Sequence, residues 1–220
     1  MCIVPIDPRR ILFCDEHLLV VNKLSGELVV RGKGKVEKLP LLDFLKKDYP
    51  GLRAIHRLDY QTSGCIVFAR SKKVLEAVLK SDFAGWKKKY LALVVGRPKR
   101  QGVIRIKLPA RGKGIVEAIT RYHIVESFRD VSLVECDIET GRHHQIRRHF
   151  AEIGHPLVLD DEYGHVKFNR LFARAYGCRK LFLHAVSLAF PHPVQSQVVH
   201  VEAPLPPAFD RAIQRLHATS

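Results

Sequence analysis

What this sequence lacks narrows it first. No uninterrupted apolar run approaches the roughly 20 residues that a spanning helix needs, so the chain reads as soluble, with no membrane partner. Its five cysteines, Cys2, Cys14, Cys65, Cys136 and Cys178, are odd in number, widely spaced and without a CxxC pair. No secretory signal precedes the first strand-like segment, so a reduced, intracellular compartment is expected. The cytoplasm is the favoured location, with an organelle left open, because MCIVPIDPRR is too short for a transit peptide. Acid is scarce too: 22 Asp and Glu stand against 37 Lys and Arg, a formal charge of +15. That excess predicts attraction to polyanions, nucleic acid foremost, with an anionic membrane surface as the plain competitor. No Ser- or Gly-rich linker divides the 220 residues, so one domain is expected.

The pattern along the chain is mixed. Ile11–Lys23 reads as two short strands meeting at Asp15-Glu16-His17, and Leu41–Leu45 has helical apolar spacing ended by Pro50-Gly51. Cys65–Ala69 is a strand and Lys72–Leu79 a helix with Val74, Leu75, Val78 and Leu79 on one face. Tyr90–Val95, Val103–Leu108 and Val131–Ile138 are strands, the last with Val134, Cys136 and Ile138 inward. Arg142–Ile153 is a helix striped by Ile146, Phe150 and Ile153, followed by a helical stretch near Arg170–Tyr176 and a strand Leu181–Leu188. A short helix closes the chain. Strands and helices mix without regular βαβ alternation, so the fold class is α+β with a mixed, largely antiparallel sheet flanked by helices. RGKG occurs twice, Arg31–Gly34 and Arg111–Gly114, and reads as two basic loops free to touch phosphate.

Several stretches could carry chemistry. In AIHRLDYQTSGCIVFAR, Asp59 has Arg57 close by and lies just ahead of a buried strand. It reads either as a turn residue capping backbone N–H groups or as a carboxylate kept ionised by nearby cations and usable as a nucleophile. In ETGRHHQIRRHF, the spacing of His143, His144 and His149 lacks the i, i+4 pair of a helical metal site, and no HExxH occurs. Asp160-Asp161-Glu162 could add oxygen ligands, yet no ordered ligand set emerges, so no metal is expected. Arg142, Arg147 and Arg148 suit fixed pairing with carboxylate or phosphate, against a plain solvated basic face. Lys87, Lys88 and Lys89 run into Tyr90, which is a core residue or a stacking platform for an unstacked base, with the lysines guiding phosphates.

Taken in order, these stretches resemble the RluA-type pseudouridine synthases. The family's HRLDxxTSG motif appears as His56–Gly64, its KxYxAxVxG strand as Lys88–Gly96 and its TGRxHQIRxH segment as Thr140–His149. GHP-x-x-x-D-x-x-YG matches Gly154–Gly164, and LHA-x-x-L-x-FPHP matches Leu183–Pro193. The likeness runs from about Ile11 to Leu216. It implies a pseudouridine-synthase catalytic domain over 11–220 behind a short extension, 1–10, and no small RNA-binding domain ahead of it.

The resemblance implies isomerisation of a uridine in structured ribosomal or transfer RNA by a monomer, without cofactor or metal. Asp59 matches the catalytic aspartate and Arg147 the arginine that pairs with it. Tyr90 matches the tyrosine stacked on the target base, Leu183 an apolar contact to that base, and Arg57 a residue filling the space a flipped nucleotide leaves. The family usually has Thr where His143 stands, an apolar residue at Arg148, and KPAG where this chain has Lys23-Leu24-Ser25-Gly26. Two rivals stand beside the enzyme. An RNA binder that lost the reaction fits poorly with intact Asp59 and Arg147, and a glycoside hydrolase wants a second placed carboxylate.

Overall fold

The computed structural model describes residues 6–31, 39–110 and 114–219. They belong to two compact units, Met1–Trp86 with Val186–Pro204, and Lys87–Ala185 with Leu205–Ser220. Both are α+β, and every pairing of described register is antiparallel. Among the described residues no helix is long and apolar enough to cross a membrane.

In the first unit, the continuous apolar runs form the buried strands. Strand β1 (Ile11–Cys14) pairs with β2 (Leu18–Lys23), and helix α1 (Leu41–Leu45) follows. The two-residue β3 (Arg53–Ala54) and β2 both pair with β4 (Ser63–Ala69). Leu18 to Val21 and Cys65 to Ala69 are fully buried, so β2 and β4 have no solvent face to alternate toward. Helix α2 (Lys72–Lys80) starts at Ser71, whose hydroxyl accepts the Val74 amide at 3.2 Å. Val74 and Val78 enter the core, whereas Leu79, expected on the same face, is exposed. The distal part of β9 (Leu183–Pro191) pairs with β10 (Val198–Glu202), which brings Phe190 and Val199 against Val67 and lets Trp86 stack on Phe190 at 4.4 Å.

In the second unit, β5 (Lys87–Val95), β6 (Gln101–Ala110), β7 (Gly114–Ser127) and β8 (Val131–Ile138) lie in the order β5-β8-β7-β6. Strand β8 alternates as expected: Val134, Cys136 and Ile138 are buried while Glu135 and Asp137 are half-buried. Helices α3 (Gln145–Glu152), α4 (Val166–Tyr176) and α5 (Pro207–Ala218) complete the unit, α3 packing on β6 and β7. Phe172, Phe182 and Phe209 meet edge to face around Leu93 and Val158 in its core.

Several boundaries differ from the sequence reading. Helix α3 begins at Gln145, not Arg142, because the Gln145 side chain is already committed to the segment before it. Its Oε1 accepts the Thr140 hydroxyl at 2.7 Å and the Arg142 amide at 3.1 Å, and its Nε2 donates to the Ile119 carbonyl at 2.9 Å. Arg142 therefore precedes the helix instead of projecting from it, and Ile153, taken for part of its apolar stripe, follows it and is exposed. Strands β7 and β10 were not anticipated at all. The basic loops at 32–34 and 111–113 lie outside the described residues.

Candidate active site

Asp59 lies in the loop that leads into β4, and the first unit holds that loop from beneath. Lys23 ends the apolar run of β2 and is fully buried. Its ammonium donates to three backbone carbonyls, of Thr62 at 2.5 Å, Leu24 at 3.0 Å and Tyr60 at 3.2 Å. The Gly26 amide donates to the same Tyr60 carbonyl at 2.8 Å. Gly26 has φ +88°, a conformation that costs glycine nothing, and this accounts for its place after Ser25. The Thr62 amide closes a turn onto the Asp59 carbonyl at 3.1 Å. His56 Nε2 accepts the Val67 amide at 3.2 Å, tying the loop's other end to β4. Asp59 is half-buried and Arg57 exposed.

Bonds from an ammonium to carbonyls are charge-assisted and stronger than neutral ones. Lys23→Met is expected to lower stability by about 2–3 kcal/mol, since each buried acceptor left short of a donor costs about 1–3 kcal/mol. A urea transition with a lower midpoint and unchanged slope checks this.

In the second unit, α3 presents Arg147 to the turn carrying Asp160. Both side chains are buried, at 5% and 0% exposure. Arg147 Nε donates to Asp160 Oδ2 at 2.7 Å and an Arg147 terminal nitrogen donates to Oδ1 at 2.8 Å, a two-pronged pairing. The same terminal nitrogen lies 3.5 Å from Asp161 and 3.6 Å from Glu162, and the guanidinium carbon is 5.1 Å from the centre of the Tyr163 ring. Asp160 Oδ1 also accepts the Glu162 and Tyr163 amides, each at 3.0 Å. Burial by itself would raise the Asp160 pKa; the Arg147 hydrogen bonds, these amides and the Arg147 charge outweigh it and hold the carboxyl below its ordinary range. Gly164 is required here, because a Cβ would come within 2.2 Å of the Asp160 carbonyl oxygen.

The acidic run weighed as a source of metal ligands is thus the counter-charge of Arg147. Sequence reasoning missed that role and the Lys23 clamp. The densest acidic run in a basic chain and a lysine ending an apolar strand were the available signals.

Other candidates are placed as follows. Tyr90 is buried on β5, opposite Cys136 of β8, and Leu183 is buried at the start of β9. The three lysines part company through the pleat of β5: Lys87 is exposed, Lys88 is buried, and Lys89 pairs with Glu135 at 2.5 Å. Burial, then the Arg142 charge, lowers the Lys88 pKa, and its side chain lies inside the protein, not on the surface as three adjacent lysines suggest. Arg142 and Arg148 are half-buried. His149 is fully buried; burial pulls its pKa down to about 4, leaving a neutral ring at ordinary pH. The structure thus groups Tyr90, Arg147 and Leu183 in the second unit, with Asp59 and Arg57 in the first.

Residues 17–152 match the family model described as RNA pseudouridylate synthase. "Ribosomal large subunit pseudouridine synthase C" of Escherichia coli (strain K12) is 34% identical over 224 residues, covering 94% of this chain and 69% of the relative. Among solved structures, human RNA Pseudouridylate Synthase Domain Containing 4 matches with a TM-score of 0.78 at 27% identity, over 95% of this chain and 93% of that one. Human RNA Pseudouridylate Synthase Domain Containing 1 matches with a TM-score of 0.70 at 26% identity, over 98% of each chain.

Proposed function

Since this chain belongs to the RNA pseudouridylate synthase family, we propose that it isomerises a uridine of ribosomal RNA with Asp59 as nucleophile. The observation that carries this reading is the pinned HRLD loop: an acid half open to solvent on a backbone that Lys23 and Gly26 hold in place. A group that must meet one carbon atom gains from a backbone that does not wander. Ribosomal RNA is preferred over transfer RNA because the Escherichia coli relative named above is a ribosomal large subunit pseudouridine synthase.

In this reading the target nucleotide leaves the helix at a cost of a few kcal/mol, and exposed Arg57 takes up the space behind it. Tyr90 and Leu183 contact the uracil, as the resemblance implies. The N1–C1′ bond breaks, the ring turns, and C5 bonds to C1′. N1 gains the proton that C5 loses, so the reaction balances without oxidant, reductant or water.

The test is tritium release from RNA carrying uracil labelled at C5. Release without free uracil supports the synthase; free uracil would mean a hydrolase, and no release from the RNA of a ribosome would refute the proposal.

A further inference from the structure

His143 is the position at which this chain departs from its family's usual threonine, and the structure gives the imidazole a defined place. Its ring stacks on His144 with centroids 3.7 Å apart and planes 21° from parallel. His143 is exposed, whereas the His144 side chain is only 14% exposed. His144 is in turn held from below: its Nδ1 lies 3.2 Å from the Tyr163 hydroxyl and 3.2 Å from a Glu162 carboxylate oxygen, and its ring meets the Tyr163 ring edge-on at 5.7 Å. The far side of this pile is Arg147, whose guanidinium lies over the Tyr163 ring. Four side chains thus pass in contact from the buried Arg147–Asp160 pair to one open aromatic face.

The backbone is bent to build it. His144 has φ 53° and ψ 31°, the left-handed conformation that a non-glycine residue takes at a cost. Such strain persists where the surroundings over-determine it, and it gathers at functional positions. Here the Gln145 side chain fixes the chain on the preceding side, and α3 fixes it on the following side. Arg142 and Arg148 lie close by in sequence, supply positive charge and are half-buried, whereas His143 is exposed.

We propose that the outer face of His143 is a stacking platform for one unpaired nucleobase of the RNA. This rests on the RNA-modifying reading above and adds to it a contact that the family pattern does not contain. Every base has a π-face, so the platform accepts any base and contributes affinity, not sequence readout. An exposed ring already backed by a second ring loses little freedom when a base covers it.

The plain competitor is that His143 attracts phosphates as any basic surface would. Anisotropy with a labelled short oligouridylate, and with an abasic oligomer of equal length at the same salt, separates the two. His143→Ala is expected to weaken oligouridylate binding about fivefold or more while leaving the abasic oligomer unchanged. His143→Trp, which keeps and enlarges the face, is expected to bind oligouridylate at least as tightly as the natural protein. Unchanged oligouridylate binding by His143→Ala, an equal loss for both oligomers, or a loss in His143→Trp would overturn the proposal. None of these measurements involves turnover, so a failed tritium assay and a failed platform are separate results.

Discussion

Asp59→Asn is expected to abolish tritium release, by on the order of 10⁴-fold or more, as loss of a nucleophile does. Asparagine has the same shape but cannot form the covalent bond from an anionic oxygen. Groups other than the carboxylate hold the loop's backbone. Its anchors are the Lys23 ammonium on the Leu24, Tyr60 and Thr62 carbonyls, the Gly26 amide, and the Thr62 amide on the Asp59 carbonyl. The variant should therefore unfold near the natural midpoint and still bind oligouridylate. Undiminished release would show that Asp59 is not the nucleophile, whatever the family motif suggests.

Asp160→Ala is expected to cost about 3–5 kcal/mol, because it strands a buried guanidinium without its main counter-charge. For a protein of this size, each kcal/mol lowers the melting temperature by roughly 2–4 °C. The amides of Glu162 and Tyr163 lose their acceptor at the same time, so the turn after β8 and α3 loosens as well. The double variant Arg147→Met, Asp160→Leu should regain part of the loss, since replacing both partners leaves no unpaired charge. The pH dependence has a definite sign. The Asp160 carboxyl is held below its ordinary value, so its stabilisation is complete above about pH 4 and falls away as the pH drops through its folded value. Buried neutral His149 adds to acid sensitivity from a higher pH, because unfolding frees it to take up a proton below about pH 6.5. Melting curves across acid pH check both trends, and a natural-like midpoint for Asp160→Ala would contradict the assigned pairing.

Much of this architecture was legible in the sequence, for reasons that differ by element. Strands β2 and β4 announce themselves as unbroken apolar runs. Strand β8 shows the alternation of a one-sided surface. Strand β7 is harder to see: from Gly114 to Ser127 it mixes Glu117, Arg121, His123 and Glu126 with apolar residues, two of which, Ile115 and Val125, are exposed. Lys88 was misplaced because three adjacent lysines look like one charged face, although successive strand residues must point in opposite directions. The start of α3 was misjudged because glutamine is a good helix former, and nothing local reveals that its amide is already engaged with β7. The partners of Arg147 and Lys23 are longer-range. Asp160 is 13 residues from Arg147, and the Thr62 carbonyl is 39 residues from Lys23. Motif order supplies the names of the reacting groups; the charges that hold them in position emerge only when the chain has folded.

The three carbonyls around Lys23 also limit what substitutions this lineage can tolerate. An ammonium offers three hydrogens at the corners of a tetrahedron, whereas a guanidinium spreads its donors in a rigid plane and needs more room. Lysine and arginine codons are a single nucleotide apart, and on a surface this basic most such exchanges would pass unnoticed. At position 23 the exchange would push a larger, flat cation into a space with no solvent. The commonest conservative drift available to a basic protein is therefore closed at the residue that supports Asp59.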